Sequence, residues 1–211
     1  MVRYDSFSYL WPPRPESAVA PLVLKSLEKR GWIAQVKKNG TCSVIFVSPD
    51  KKVTAMNRHN EEHKAWTPTP EVMADFARLP GNGWYVFVGE LLHNKISSAA
   101  LKNIHYVHDV LVANGEYLVG RTQEQRQDIL HDLLMTDDAV ETASHYVVSP
   151  HLWIPVEYEA DFAGLFASLK DDEDEGIVMK DPNQKLVFCS RQKANVAGQV
   201  KCRRTHKNFS F

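Results

Sequence analysis

The chain has 211 residues, 44% of them hydrophobic, which is enough for one packed core and too short for two enzyme-sized domains. Its 25 Lys and Arg against 26 Asp and Glu leave a net charge of −1, so a polyanionic partner must be met by cations in particular places rather than by a histone-like excess. No stretch approaches the run of about 18 apolar residues that a membrane span needs, and the N-terminus lacks the layout of a signal peptide. A cytoplasmic protein is expected. Cys42, Cys189 and Cys202, odd in number and widely spaced, fit neither a disulfide framework nor a zinc pair and are read as reduced thiols.

Trp11-Pro12-Pro13-Arg14-Pro15 cannot be helical, so residues 1–16 are read as an extended segment over the surface, before a helix at about Ser17 to Lys29. Strand-forming runs follow at Trp32 to Val36, Cys42 to Ser48 and Lys51 to Asn57, the last two joined through Pro49-Asp50. A short helix near Val72 to Leu79 precedes an apolar strand, Trp84 to Leu92. Tyr106 to Val112 and Glu116 to Val119 flank Asn114-Gly115, a strong hairpin signal. Thr122 with Gln125 forms a capping box for a helix whose apolar face is Ile129, Leu130, Leu133 and Leu134. A strand near His145 to Val148 and a helix near Ala160 to Leu169 come next. Strands at Ile177 to Lys180, Lys185 to Cys189 and Gln199 to Arg203 complete the order. Many strands with helices between them predict a single α+β domain over 1–211, with antiparallel sheets flanked by helices.

Charge is segregated. Asp171 to Glu175 is acidic throughout, whereas Lys185, Arg191, Lys193, Lys201, Arg203, Arg204 and Lys207 follow Asp181 with no carboxylate side chain among them. That end is the electrostatic candidate for a phosphate partner.

Four elements carry possible chemistry. Lys37-Lys38-Asn39-Gly40 places a lysine at a strand end beside a glycine, and alone it reads equally as a solvated turn. Glu90, flanked by apolar residues, either finds a partner, as an edge glutamate would, or holds a metal, because burying it bare is costly. Glu175-Gly176-Ile177-Val178-Met179-Lys180 carries a carboxylate at one end of a strand and an ammonium at the other. Lys201 and Arg203 share one face of a strand by period-2 spacing, which in isolation reads as a charged edge.

In this order the four elements resemble the motifs of the covalent nucleotidyltransferases, and residues 31–203 resemble the catalytic domain of ATP-dependent DNA and RNA ligases and mRNA capping enzymes. The resemblance makes Lys37 the nucleophile and puts Gln35 near adenine. It gives Arg58, in Arg58-His59-Asn60, to ribose and phosphate, and identifies Glu90 with the third motif. It sets His108-Asp109 where an aromatic-Asp pair lies in relatives, so that adenine would stack between His108 and Ile177 or Val178; a core histidine is the other reading. Glu175 and Lys180 match the fourth motif, Lys201 and Arg203 the fifth, and Gly40 closes the first.

The implied cofactors are ATP and Mg2+ or Mn2+, with Glu175 and Glu90 as the hard oxygen ligands. Attack on the α-phosphorus requires a neutral Lys37 amine, which Lys180, Lys201, Arg203 and a divalent metal would favour. His59 and His63 lack further ligands for zinc. Asn39 stands where DNA ligases and capping enzymes usually have Asp, and only eight residues follow Arg203, too few for an OB-fold domain. Both features lean the resemblance toward a monomeric RNA ligase that joins 5′-phosphate to 3′-hydroxyl ends through lysyl-AMP, in the manner of small phage-encoded enzymes. A minimal DNA nick ligase is the alternative, with a capping-like guanylyltransferase or a binding module behind it. Arg191, Lys193, Arg204 and Lys207 are the expected contacts to nicked or base-paired RNA or DNA, weak in sum without an encircling domain.

Overall fold

A computed structural model describes residues 9–92, 101–170, 173–189 and 195–205. The first element is a strand, β1 (Arg14–Ala18), and a 3-10 turn at Pro21–Val23 leads into α1 (Leu24–Lys29). The helix expected from Ser17 therefore starts later. Ser17 and Ala18 belong to β1, which finds a backbone partner at a sheet edge, where a proline's missing N–H does no harm. The elements β2 (Ile33–Lys38), β3 (Thr41–Val47), β4 (Val53–Met56), α2 (Pro70–Ala77) and β5 (Tyr85–Leu92) follow the expected order. The hairpin of β6 (Ile104–Ala113) and β7 (Glu116–Tyr117) turns at Asn114 and Gly115, both with positive φ, as a tight two-residue turn demands.

Thr122 caps α3 (Gln123–Leu134) with both bonds of the capping box in place. Then come β8 (Val140–Glu141), β9 (His145–Ser149), β10 (Leu152–Pro155), α4 (Phe162–Ala167), β11 (Asp174–Lys180) and β12 (Asn195–Arg203). Residues 185–189, expected as a strand, are irregular. Leu186 is buried there and exchanges backbone hydrogen bonds with Gly120 and Arg121, so the segment is pinned by one anchor rather than by a ladder.

The strands form two sheets. One has the order β1-β12-β11-β2; the other runs β4-β3-β5-β6-β10-β9-β8, with β7 on β6. Pairing is antiparallel except for β1 with β12 and β6 with β10, so the expected antiparallel sheets flanked by helices are present. The larger sheet packs α2 and α3 around Phe46, Phe76, Phe87, Leu111 and Leu130. The smaller sheet buries Ala34, Val36, Ile177 and Met179 against Leu24 and Leu27 of α1 and Phe162 and Leu165 of α4.

Chain neighbours β2 and β3 lie in different sheets, so the turn at Asn39-Gly40 carries the chain between them. Tyr106 of β6 ties the same two sheets, its buried hydroxyl donating to the Val36 carbonyl at 2.9 Å. Lys38 and Asp174 pair at 2.8 Å in the interior, where each charge is tolerable only because the other is there.

Candidate active site

A cavity of about 540 Å³ is lined from both sheets and holds every catalytic and nucleotide-site residue expected from the sequence except Ile177. Its floor is the ladder of β2, β11 and β12. In register, Gln35 faces Val178 and Val178 faces Lys201; one step along, Lys37 faces Gly176 and Gly176 faces Arg203. Alternation along these strands puts Gln35 and Lys37, Val178 and Lys180, and Lys201 and Arg203 toward the cavity, with the intervening apolar residues in the core. Glu175 escapes that alternation through a bulge: the pairing of β11 with β2 shifts between Asp174 and Gly176, and the extra residue is aimed into the cavity.

Two glycines make the geometry possible. A Cβ on Gly176 would meet the Cys202 carbonyl oxygen at 2.0 Å, so only glycine lets β11 and β12 close at the bulge. A Cβ on Gly40 would lie 2.9 Å from the Leu91 carbonyl oxygen and 3.0 Å from Glu90 Cβ. The turn after Lys37 thus packs directly on the strand that carries Glu90.

Glu175 sits between two cations. Its Oε2 accepts from Lys37 Nζ, and its Oε1 lies 2.6 Å from Arg203 Nε. Lys180 is buried and donates to the His108 carbonyl at 3.1 Å; burial pulls its pKa down to about 8, against the opposing pull of Asp109 and Glu157. Burial, with Lys180 beside it, brings the His108 pKa down to about 3, so its imidazole is neutral at pH 7. Gln35 donates to Glu157 Oε1 at 2.9 Å, and burial raises the pKa of that carboxyl. The Lys201 pKa is lowered by burial first, then by Arg203, Lys37 and Arg14. Cys42 faces Glu90 across the β3–β5 ladder, and burial together with Glu90 pushes its thiol up to about 12, which keeps it protonated.

The cavity therefore gathers Gln35, Lys37, Gly40, Arg58, Glu90, His108, Glu175, Lys180, Lys201 and Arg203. Ile177 is not among them. It is fully buried against α1 and α4, and Val178, its neighbour on the opposite face, is the residue that lines the cavity. Arg204 is half-buried; its guanidinium donates to the Leu169 carbonyl and its amide to the Glu175 carbonyl, so it braces the strand end. Arg191, Lys193 and Lys207 lie outside the described residues.

Residues not expected at the site are Arg14 with its flanking prolines, Cys42, Tyr106 and Gln199 on the lining, and Glu157 behind Gln35. Leu10 and Pro12 are buried, so the entry segment is not simply laid over the surface. Arg126 of α3 holds Asp109 with two hydrogen bonds, at 2.8 and 3.1 Å, and Gln127 donates to the same His108 carbonyl that accepts from Lys180, so that acceptor and the residue after it are both held by α3. No local pattern marks these pairs, which join positions 17 to 122 residues apart.

Arg14, Lys37, Arg58, Lys180, Lys201 and Arg203 against Glu90 and Glu175 make the cavity strongly cationic. Beside the charges stand Val36, Val88, Val178 and the ring of Tyr106. This combination suits a ligand with a flat apolar end and a polyanionic end. Among the described residues no cluster of three or more His, Cys, Asp or Glu is present. Two carboxylates, Glu90 and Glu175, on the cavity lining nonetheless fit magnesium, which takes one or two carboxylates together with oxygens of a bound anion and water. Among the described residues no helix is long and apolar enough to cross a membrane.

The fold is similar to that of ligase domains and ATP-dependent DNA ligases of known structure. The ligase domain of M. tuberculosis LigD is similar with a TM-score of 0.65 and 16% identity, over 93% of this chain and 61% of that one. A mycobacterial DNA ligase D complexed with ATP and MES gives 0.62 and 17%, over 93% and 62%. The ATP-dependent DNA ligase of bacteriophage T7, in complex with ATP, gives 0.55 and 14%, over 92% and 68%. The chain thus spans about three fifths of the length of the two mycobacterial structures. No protein-family model and no curated protein matches it.

Proposed function

We propose that this protein is an ATP-dependent polynucleotide ligase that seals nicks through a lysyl-AMP intermediate on Lys37. The observation that carries the reading is the convergence of Lys37, Glu175, Lys180, Lys201 and Arg203 on one cavity lined from both sheets. In the first step Lys37 Nζ attacks the α-phosphorus of ATP. The N–P bond forms, the bond from that phosphorus to the oxygen shared with the β-phosphate breaks, and pyrophosphate leaves with the electron pair. An ammonium has no lone pair, so Lys37 must first lose a proton, and its hydrogen bond to Glu175 Oε2 gives that proton an acceptor. Lys201 and Arg203 lie where charge develops on the phosphates, fixed in position before the reaction starts. Magnesium held by Glu175 and Glu90 would neutralise part of that charge.

The base end of ATP belongs with Gln35, His108, Val178 and Tyr106, whose neutral faces contrast with the cations around Lys37. Arg58, exposed at the cavity, can fork a phosphate or a ribose hydroxyl. A polynucleotide 5′-phosphate then takes AMP from Lys37, and the 3′-hydroxyl displaces AMP to form the phosphodiester.

Nicked duplex DNA is the first choice of substrate, supported by the likeness to mycobacterial and bacteriophage DNA ligases over more than nine tenths of the chain. Nick-sealing RNA ligation is the second reading, favoured by Asn39 at a position where DNA ligases usually carry Asp. The basic C-terminal end, with Arg191, Lys193, Arg204 and Lys207, is the proposed polynucleotide contact. Incubation with radiolabelled ATP or GTP and magnesium tests the chemistry: label trapped on the protein from ATP supports a ligase, from GTP a capping activity, and from neither a binding module. End-joining across nicked duplexes that differ only in the sugars beside the nick then separates DNA from RNA.

A further inference from the structure

The outer edge of β2 carries a short antiparallel bridge, where the Ala34 and Tyr158 backbones exchange hydrogen bonds of 2.8 Å each. In an antiparallel pair the residue after one partner faces the residue before the other, so Gln35 stands opposite Glu157, two residues beyond β10. The backbone itself thus brings the two side chains together, although 122 positions separate them.

Gln35 is only 2% exposed, and its Nε2 donates to Glu157 Oε1 at 2.9 Å. An ionised carboxylate can only accept, whereas an amide has one donating end and one accepting end. The donating end is therefore committed to Glu157, and turning the amide over would bring acceptor oxygens together. Gln35 Oε1 has no hydrogen bond among the described residues, and Gln35 lines the cavity while Glu157 stands off the lining. The cavity is thereby offered a buried acceptor of fixed sense, costly to leave unpaired once a ligand has displaced water. Burial raises the Glu157 pKa, with Lys180 and the Gln35 hydrogen bond pulling the other way.

The other neutral groups at this end of the lining have no such fixed sense. His108 presents a donor or an acceptor according to its tautomer, and the Gln199 amide, without a hydrogen bond among the described residues, can turn either way. The Tyr106 hydroxyl is spent on the Val36 carbonyl. Gln35 also has the right place. It precedes Lys37 by two residues on the same face of β2, about 7 Å along the strand, and faces Val178 across the ladder with β11. With the α-phosphorus at Lys37, a ribose spans that step, and the edge of a base packed on Val178 meets Gln35 Oε1.

We propose that Glu157 is a positioning residue for base selection: by holding the Gln35 amide it aims the carbonyl oxygen at the base, and so favours a purine with an amino group at C6 over one with a keto oxygen there. The inference rests on the nucleotide-binding reading of the cavity given above. A C6 amine donates to Gln35 Oε1, whereas a C6 oxygen meets it acceptor to acceptor and leaves both unpaired.

Calorimetric titration of the full chain with ATP and with inosine triphosphate, its 6-keto counterpart, tests the inference. The wild type is expected to prefer ATP about tenfold or more, the scale of one buried hydrogen bond. Glu157→Gln keeps the shape but can either accept from Gln35 or donate to it, so the amide can turn and most of the preference should be lost. Loss of the Glu157 charge acts on both nucleotides alike and cancels in the ratio of affinities. In a Gln35→Met background, Glu157→Gln should leave that ratio unchanged, because the group it positions is gone. An unchanged ratio in Glu157→Gln alone would reduce Glu157 to a structural role, and a ratio that still shifts without Gln35 would make it a direct contact to the base. Wild-type protein that binds neither nucleotide, or binds the inosine form as well as ATP, would also overturn the inference. If Glu157→Gln does not fold by circular dichroism, Glu157→Ala replaces it under the same criteria. Covalent labelling of Lys37 separates the two ideas. A Glu157-dependent preference for ATP without any label keeps the inference and removes the ligase reading, whereas labelling with a Glu157-independent preference does the reverse.

Discussion

Lys37 and Glu175 meet across the β2–β11 ladder, the lysine Nζ donating to Glu175 Oε2 although 138 positions separate them in the chain. Arg203 holds the other oxygen of the same carboxylate. One acidic group thereby orders the side chains of three strands, and the bulge that aims it into the cavity sets the site's geometry.

Lys37→Ala should abolish covalent labelling from ATP, since among the described residues no other amine pairs with the Glu175 carboxylate. Joining of a strand already carrying 5′-AMP should survive, because that step uses the 3′-hydroxyl as nucleophile. Gel detection of protein-bound label and of sealed product reads both, and an AMP adduct on the variant would remove Lys37 as the nucleophile.

Lys180 gives a pH signature. Its pKa is about 8 in the fold against 10.5 for an ordinary lysine, so the folded protein releases that proton at lower pH than the unfolded chain. Between these values the unfolded state binds more protons, and stability attributable to Lys180 rises with pH; below about pH 8 the fold carries the cost of a buried ammonium, on the order of 3 kcal/mol. Lys180→Met should therefore lack the component of stability that increases from pH 8 to 10, and lose nucleotide labelling at every pH. Paired urea titrations across that range measure it, and parallel pH profiles for the two proteins would contradict it.

Much of this was readable in the sequence where the signal is local. The Asn114-Gly115 turn, the Thr122–Gln125 capping box and the alternation in β12 are fixed by neighbours a few positions apart, and all three stand in the structure. The misreadings share a different cause. Ile177 and Val178 alternate across one strand, and the bulge at Glu175 decides which of them faces the cavity. Glu157 behind Gln35, Arg126 on Asp109 and Lys38 on Asp174 are long-range polar pairs between residues that look solvent-exposed by type. The proline-rich entry was legible as non-helical, but its place along the cavity depends on a parallel pairing with β12 that composition does not encode.

Arg126→Met should destabilise the fold strongly. Burial alone would raise the Asp109 pKa, yet the charge and hydrogen bonds of Arg126, helped by Lys180 and His108, leave it lowered, so the carboxylate leans chiefly on the guanidinium. Removing one partner of a buried pair typically costs about 3–5 kcal/mol, whereas replacing both by apolar groups costs far less. Urea unfolding of Arg126→Met and of Arg126→Met combined with Asp109→Leu checks this, the double variant being expected to recover much of the loss. A double variant no more stable than the single one would mean that packing, not charge, accounts for the effect.

Gly176→Ala tests whether the bulge itself governs the chemistry. A methyl there collides with the Cys202 carbonyl and approaches Arg203 Cα to 2.9 Å, both backbone atoms that cannot swing away as a side-chain end can. Relief requires β12 to move from β11, which shifts Arg203 relative to Glu175 and strains the Arg204 amide bond to the Glu175 carbonyl. Overpacking of this kind costs about 1–3 kcal/mol. Gly31→Ala is the control: Gly31 has φ +71 and open space around its Cβ position, follows α1 and lies off the cavity lining, so the substitution strains the backbone without pushing one site strand off another. Both variants should melt below the wild type, but only Gly176→Ala should lose labelling of Lys37 at a temperature where each is fully folded. Labelling by Gly176→Ala at the wild-type rate would show that the Glu175 geometry tolerates a looser ladder.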